Sequence, residues 1–177
     1  QNKDISIVLA RQETRSAEDC SRANTTDSLS YDSFWGKKDP FPESHDAEVK
    51  VFFGHIALDM DKVVNVMKGR WKRPRPYETY ADRVRPCVKK SNSYSYPSGH
   101  AAFSRVFALV LSDIVPGRTA EFLANADAIA ADRVTSGVHY PTDIAAGKDL
   151  GDLCYAELRR SAEYRNDIVK LQALIAK

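Results

Sequence analysis

No stretch of this sequence stays apolar long enough to cross a bilayer. The longest apolar run, Ala101–Leu111, is interrupted by Ser104 and Arg105, whereas a spanning helix needs about 20 largely apolar residues. An excess of one charge is also missing. The 26 Lys and Arg residues against 24 Asp and Glu leave a formal +2, which implies no bulk attraction to nucleic acid. Cysteine is scarce: Cys20, Cys87 and Cys154 are far apart and form no CxxC pair, so no metal site is expected. At most one intramolecular disulfide can form, with one thiol left over. The spacing selects no pair, and no bridge is the starting expectation. Internal repeats, low-complexity tracts and convincing strand alternation are lacking as well. There is neither an initiator Met nor a signal-peptide pattern, so a mature or trimmed form is expected.

What is present is helical periodicity. The 177 residues, 43% hydrophobic and 28% charged, suit one domain, 1–177, with a sizeable core. From Asp46 to about Met67, apolar residues recur at helical intervals (Val49, Phe52, Phe53, Ile56, Met60, Val63, Val64, Met67), predicting a helix with a wide buried face. A second helix is predicted from Ser98 or Gly99 to Val115, apolar round most of its circumference and therefore central. A third runs from about Arg118 to Ser136, stopped by Gly137. A fourth begins near Pro141, a residue suited to a first helical position, and reaches about Glu163. Shorter helices are predicted over Tyr164–Ala176 and near Ile5–Asp19. Residues 21–44 read as an ordered irregular loop carrying Tyr31, Phe34, Trp35 and Phe41. The fold class is all-α, a single-domain helical bundle with a motif-bearing core over about 46–163.

Several residues stand out against this framework. Arg133 falls on the inward stripe of the third helix with Phe122, Ala126 and Ile129, and a buried cation needs an anion. His139 and Asp143 are four apart across a loop-to-helix junction at Pro141. A carboxylate there can fix one imidazole tautomer, or simply favour the first turn of its helix. In Pro97-Ser98-Gly99-His100, the free N–H groups of a helix start form an anion-binding site; the plainer alternative is an N-cap serine. In the basic run Lys68–Arg75, Pro74 and Pro76 hold Arg75 in a non-helical backbone that aims its side chain. A solvated basic face with Trp71 in it is the alternative. Together these are three cations, an anion-binding helix start, two histidines and an orienting carboxylate, an inventory suited to phosphoryl transfer without a metal.

The order Lys68–six residues–Arg75-Pro76, then Pro97-Ser98-Gly99-His100, then Arg133–five residues–His139–three residues–Asp143 resembles the tripartite signature of the type 2 phosphatidic acid phosphatase (PAP2) superfamily. That superfamily includes bacterial class A non-specific acid phosphatases, membrane lipid phosphatases and vanadium-dependent haloperoxidases. The signature covers somewhat under half the chain. The resemblance implies an all-α bundle and a metal-independent phosphatase without cofactor, acting on phosphate monoesters through a phosphohistidine. In it His139 is the nucleophile, Asp143 orients it, and His100 is the general acid and base. Lys68, Arg75, Ser98, Gly99 and Arg133 bind the phosphate. It further implies a phosphorylated small-molecule or lipid-phosphate substrate, inhibition by vanadate or phosphate, and a periplasmic or secreted location. One departure is plain: Asp132 stands where the family has Ser, and it is expected to point elsewhere or to pair with a cation.

Other readings stay open. A vanadium haloperoxidase shares the pocket chemistry, although such proteins are much larger. A soluble lipid-phosphate or pyrophosphate phosphatase fits the same motifs, with the aromatic segment Tyr31–Phe41 as a lid or lipid-contacting rim. A serine hydrolase using Ser98, His100 and Asp143 lacks the GxSxG elbow. A nucleic-acid-binding domain using Lys68–Arg75 leaves the histidine motifs unexplained. His55 is expected to be structural, and His45 a cap or surface residue. Tyr77, Tyr94, Tyr96 and Trp71 suit a pocket rim or core packing equally.

Overall fold

Helix-period apolar patterns, not alternation, decide the architecture. In a computed structural model, which describes residues 2–43 and 46–175, the chain forms α1 (Asn2–Thr14), α2 (Ala17–Thr25), α3 (Tyr31–Trp35), α4 (Asp46–Trp71), α5 (Pro76–Thr79), α6 (Gly99–Ile114), α7 (Thr119–Thr135), α8 (Pro141–Leu158) and α9 (Ala162–Ile175). Single 3-10 turns lie at Gly36–Lys38 and Pro116–Arg118. Among the described residues there is no strand, as the all-α reading requires. His45 lies outside the described residues.

Helix α6 is central. Its residues are buried apart from His100, Arg105, Leu109, Ser112 and Asp113, which are half-buried, and it packs along α7 and α8 and against α4 and α9. The contact with α8 is unusually close. A Cβ on Gly147 would lie 2.5 Å from the Ser98 carbonyl, and one on Gly151 would lie 2.9 Å from the Ala102 carbonyl. These two glycines, one helical turn apart, let the α8 backbone rest directly on the first turns of α6. The start of α8 is thereby fixed against the start of α6.

The apolar residues divide into two clusters. One joins α3, α4, α6, α7 and α9, including the stack of Tyr31 on Phe53 at 4.0 Å and the edge contact of Trp35 with Phe122. The other gathers Ile5 and Val8 of α1 with Tyr77, Val84, Val88, Val138 and Tyr140. At full burial, side chains of this size each contribute about 1.5–3 kcal/mol.

Four expectations are corrected. The N-terminal helix is two helices, because Ser16 and Asp19 form a capping box: the Asp19 amide donates to Ser16 Oγ at 3.1 Å and the Ser16 amide to Asp19 Oδ2 at 2.9 Å. Residues 21–43 hold the end of α2, the short α3 and a 3-10 turn, and Tyr31, Phe34, Trp35 and Phe41 are buried in the core, so they form no lid or rim; residue 44 lies outside the described residues. Helix α8 stops at Leu158, because Ser161 Oγ accepts from the Tyr164 amide at 3.3 Å and starts α9 anew. Finally, Cys20 and Cys87 form a disulfide, leaving Cys154 as a free thiol.

Candidate active site

A cavity of about 500 Å³ opens beside the N-terminus of α6, and Lys68, Arg75, Gly99, His100, Arg133 and His139 all border it. Five stretches of chain deliver them. Lys68 lies in the last turn of α4, which ends where Lys72 adopts a left-handed backbone, φ 47°, and its amide bonds the Lys68 carbonyl. That is the usual helix-ending conformation, carried here by a lysine instead of glycine. Arg75 sits just before α5 in extended backbone, φ −76° and ψ 159°, as its flanking prolines dictate. His139 follows Gly137, whose φ of +78° turns the chain out of α7; the amides of Val138 and His139 both return to the Arg133 carbonyl. The nucleophile candidate is thus anchored on the same turn that carries Arg133.

Asp143 is fully buried and uses both oxygens. Oδ2 accepts from the Tyr140 amide at 2.9 Å and from Ser95 Oγ at 2.5 Å, and faces His139 Nδ1 at 3.3 Å. Oδ1 accepts from Arg73 Nη1 at 2.7 Å. Both readings of this residue therefore hold at once: it caps the first turn of α8 and it faces the imidazole. Burial alone would raise its pKa. The hydrogen bonds from His139, Ser95 and the Tyr140 amide outweigh that and keep the carboxyl below its ordinary value.

The other nitrogen of His139, Nε2, lies 3.2 Å from Arg75 Nη1. A guanidinium only donates, so Nε2 is the acceptor and Nδ1 carries the proton toward Asp143. Burial pushes the His139 pKa down to about 3; the Asp143 hydrogen bond opposes this, and Arg75 adds to it. The ring is therefore neutral, and its one lone pair, on Nε2, accepts from Arg75, which must turn its N–H toward a bound phosphoryl group before Nε2 can attack.

His100, half-buried in the first turn of α6, has Nε2 3.2 Å from the Asp27 carbonyl. A carbonyl only accepts, so Nε2–H donates there and Nδ1 is left to hold any transferable proton. Burial, then the charges of Arg133, His139 and Arg75, holds its pKa well below the ordinary value. The protein groups around it therefore favour neutral His100, although an acid role needs a proton on it.

The cations differ in how fully they are engaged. Lys68 donates to the Tyr94 carbonyl, and burial with the nearby Arg75 charge pushes its pKa down to about 7. Arg75 donates to the carbonyls of Ser93 and Val138 at 2.8 and 2.9 Å and to Ser93 Oγ at 3.1 Å. Arg133 is 1% exposed and donates through Nη2 to the Ala23 carbonyl and to Thr26 Oγ1. Its Nε and Nη1 are buried with no hydrogen-bond partner among the described residues, and a carboxylate oxygen of Asp27 is 3.6 Å from Nη1. Unpaired buried donors are costly, and an oxyanion in this cavity would satisfy them.

One predicted residue sits differently from expectation. Ser98 does not border the cavity: its Oγ accepts from the Ala101 amide at 3.4 Å as the α6 cap, and its amide donates to the Asp143 carbonyl at 3.0 Å. It joins the two helix starts. Gly99 does border the cavity, but a Cβ there would make only ordinary contacts with Leu29 and Val64, so packing alone does not require glycine. Asp132 points away toward α2, where Arg22 grips it through Nε at 3.1 Å and Nη2 at 2.7 Å. Its paired charge explains how an acid is tolerated beside Arg133.

Sequence reasoning missed Arg73 and Ser95 as partners of Asp143. It also missed the Asp27 carbonyl and the cavity-facing Lys89 and Lys90. The flanking aromatics separate: Tyr77 is core, while Trp71 and Tyr94 are exposed, Trp71 edge-on to Tyr96. His55 is exposed and lines a separate groove of about 680 Å³ between α4 and the α8–α9 corner, which contains none of the residues above. No helix among the described residues is long and apolar enough to cross a membrane.

A family model described as the PAP2 superfamily matches residues 50–167. The non-specific acid phosphatase of Providencia stuartii is 28% identical over 144 residues, which are 78% of this chain and 57% of that protein. The non-specific acid phosphatase of Salmonella typhi is 35% identical over 44% of this chain and 31% of its own length. The acid phosphatase of Zymomonas mobilis is 30% identical over 57% of this chain and 39% of its own length. The chain thus spans about a third to somewhat over half of these relatives. A transmembrane PAP2 type phosphatidylglycerolphosphate phosphatase from Bacillus subtilis shares the fold, with a TM-score of 0.56 at 23% identity over 88% of this chain and 82% of that one.

Proposed function

The chain belongs to the PAP2 superfamily, and from that premise we propose that it is a phosphatase that hydrolyses phosphate monoesters through a phosphohistidine, with protein cations in the role a metal plays elsewhere. The observation that carries this reading is the pair of Arg133 donors, Nε and Nη1, that make no hydrogen bond among the described residues, beside the same cavity as His139 and His100. They call for an oxyanion next to a neutral imidazole. Lys68, Arg75 and Arg133 neutralise the equatorial oxygens of the phosphoryl group, and the helix start at Gly99 adds its amides.

In the first step the Nε2 lone pair of His139 attacks phosphorus and the bond to the ester oxygen breaks. His100 gives its Nδ1 proton to the departing alkoxide. The Nδ1–H of His139 stays on Asp143, which stabilises the positive charge the ring gains. In the second step His100 takes a proton from water, whose oxygen attacks phosphorus. The P–N bond breaks, and His139 returns to its neutral form. Because the protein groups around it favour neutral His100, its proton comes in with the substrate, either as the monoanionic ester or through the charge of the bound dianion.

Vanadate, a mimic of the five-coordinate state, is proposed to inhibit. The Cys20–Cys87 bridge supports a periplasmic or secreted location, since structural disulfides persist in oxidising compartments. The test is a panel of nucleoside monophosphates, sugar phosphates, pyrophosphate, phosphatidate and isoprenyl phosphates with wild type and His139→Ala, combined with acid-quench trapping of a labelled phosphoenzyme. Turnover and label are expected in wild type and absent in the variant. Full turnover by His139→Ala would remove the nucleophile assignment.

A further inference from the structure

The cavity carries more positive charge than one phosphate needs. Among the described residues, five cations border it (Lys68, Arg75, Lys89, Lys90 and Arg133) against two carboxylates, Asp27 and Asp61. Asp27 lies 3.6 Å from Arg133 Nη1, and Asp61 accepts from Asn65 Nδ2 at 2.9 Å, which leaves three more positive than negative groups at the cavity. Lys68, Arg75 and Arg133 are buried around His139. Lys89 and Lys90 are exposed on the loop that forms another wall of the cavity, and neither has a carboxylate partner among the described residues.

That wall is held firmly. The Cys20–Cys87 bridge anchors its start, and the Cys87 amide donates to the Ser136 carbonyl at 3.1 Å. Tyr77 Oη donates to the Ser91 carbonyl at 2.8 Å and accepts from the Ser91 amide at 3.1 Å. Arg75 donates to the Ser93 carbonyl. Both lysines rise from this fixed base, the Lys90 ammonium lying 5.4 Å from the Tyr77 ring centroid, with Ser91 and Asn92 bordering the same cavity. A dianion at this wall would meet two matching charges and neutral hydrogen-bond donors, at low reorganisation of the backbone.

We propose that Lys89 and Lys90 form a second anion subsite that selects phosphomonoesters bearing another phosphate on the leaving-group side. The inference rests on the phosphatase reading of the same cavity. The cavity volume of about 500 Å³ falls within the range that holds small-molecule ligands, so both groups of such a substrate fit one site. The scissile phosphoryl takes the buried cations and the second phosphate takes the lysines.

The matched pair glucose 6-phosphate and glucose 1,6-bisphosphate tests it. Wild type is expected to favour the bisphosphate in kcat/KM by roughly tenfold beyond the statistical factor of two for its two esters, the order of one good charge-assisted contact. Lys89→Gln with Lys90→Gln should bring that ratio close to the statistical value. Raising the salt from 50 to 500 mM should shrink the preference in wild type, because exposed charges are screened. The salt arm needs no variant, so it stands even if the double substitution impairs folding. A wild-type ratio at the statistical value, or one unmoved by both salt and substitution, would overturn the subsite. Hydrolysis of neither sugar phosphate, nor of p-nitrophenyl phosphate, would instead overturn the phosphatase reading and this inference with it.

Discussion

The guanidinium of Arg73 lies 2.7 Å from Oδ1 of Asp143, on the carboxylate oxygen that His139 does not face. Arg73 also binds Asp4 of α1 at 2.7 Å and sits 4.0 Å above the Tyr140 ring. It therefore fixes the plane of the Asp143 carboxylate, and through it the His139 ring, from outside the cavity.

Arg73→Gln is expected to lower kcat roughly ten- to hundredfold, the range seen when a group that orients a site residue is lost. KM should change little, because Arg73 is not among the residues bordering the cavity. Arg73→Lys should recover part of the rate, since the charge returns without the two-pronged geometry. Steady-state kinetics with a thermal melt separate this from simple unfolding. An Arg73→Gln enzyme with wild-type kcat would show that Asp143 holds its place without help.

The pH dependence has a defined sign. With the Lys68 pKa pushed down to about 7 by burial and the Arg75 charge, its charge is lost as pH rises through neutrality, and anion binding weakens. The second proton of a phosphate monoester leaves near pH 6, so the proton His100 needs also becomes scarce above that. Activity should peak on the acid side of neutrality, with KM climbing above about pH 7. Lys68→Arg keeps its charge and should flatten the alkaline rise in KM. A rate that increases steadily to pH 9 would contradict both assignments.

Close backbone contact between α6 and α8 sets the spacing of the two histidine-bearing segments. Gly147→Ala would place a methyl 2.5 Å from the Ser98 carbonyl and 2.8 Å from Ala101 Cβ, and backbone cannot step aside as a flexible side chain does. Overpacking of this kind costs roughly 1–3 kcal/mol. Because the Ser98 amide is bonded to the Asp143 carbonyl, the displacement also opens the site. Denaturant titration and kcat should both report a loss; unchanged values would mean the helices slide apart freely.

Local signals in the sequence carried the helices and most of the site. The boundaries of α6 and α7 were legible to about a residue because Ser98, Pro116 and Gly137 punctuate them. Lys68, Arg75, His139 and Asp143 were legible because their spacing is local to each motif. The break at Ser16 had a signal that went unread, the S-x-x-D capping box. What periodicity could not reveal are partnerships between distant positions: Ser95 and Asp143 are 48 residues apart, Arg73 and Asp143 are 70 apart, and Cys20 and Cys87 are 67 apart. Each depends on the helices having already assembled. The aromatic segment misled for a related reason. Tyr31, Phe34 and Trp35 look like a lid in isolation, and only Phe53, Phe107 and Phe122 from other helices make them core.

The Cys20–Cys87 bridge ties α2 to the base of the loop carrying Lys89, Ser93 and Ser95, so its loss should affect stability and catalysis together. Closing a loop of 67 residues is worth roughly 4 kcal/mol on the chain-entropy account, and removal of native bridges typically costs about 2–5 kcal/mol. Cys20→Ser with Cys87→Ser is expected to lower Tm by roughly 5–15 °C for a chain of this size. In the folded fraction KM should rise more than kcat falls. Asn24 Nδ2 still reaches the Cys87 carbonyl at 3.2 Å and Tyr77 still holds Ser91, so the wall loosens at its base without detaching. Reductant should reproduce the effect on wild type and leave the double variant unchanged. If wild type keeps its Tm and KM under full reduction, confirmed by thiol titration, the helices hold the wall in place on their own.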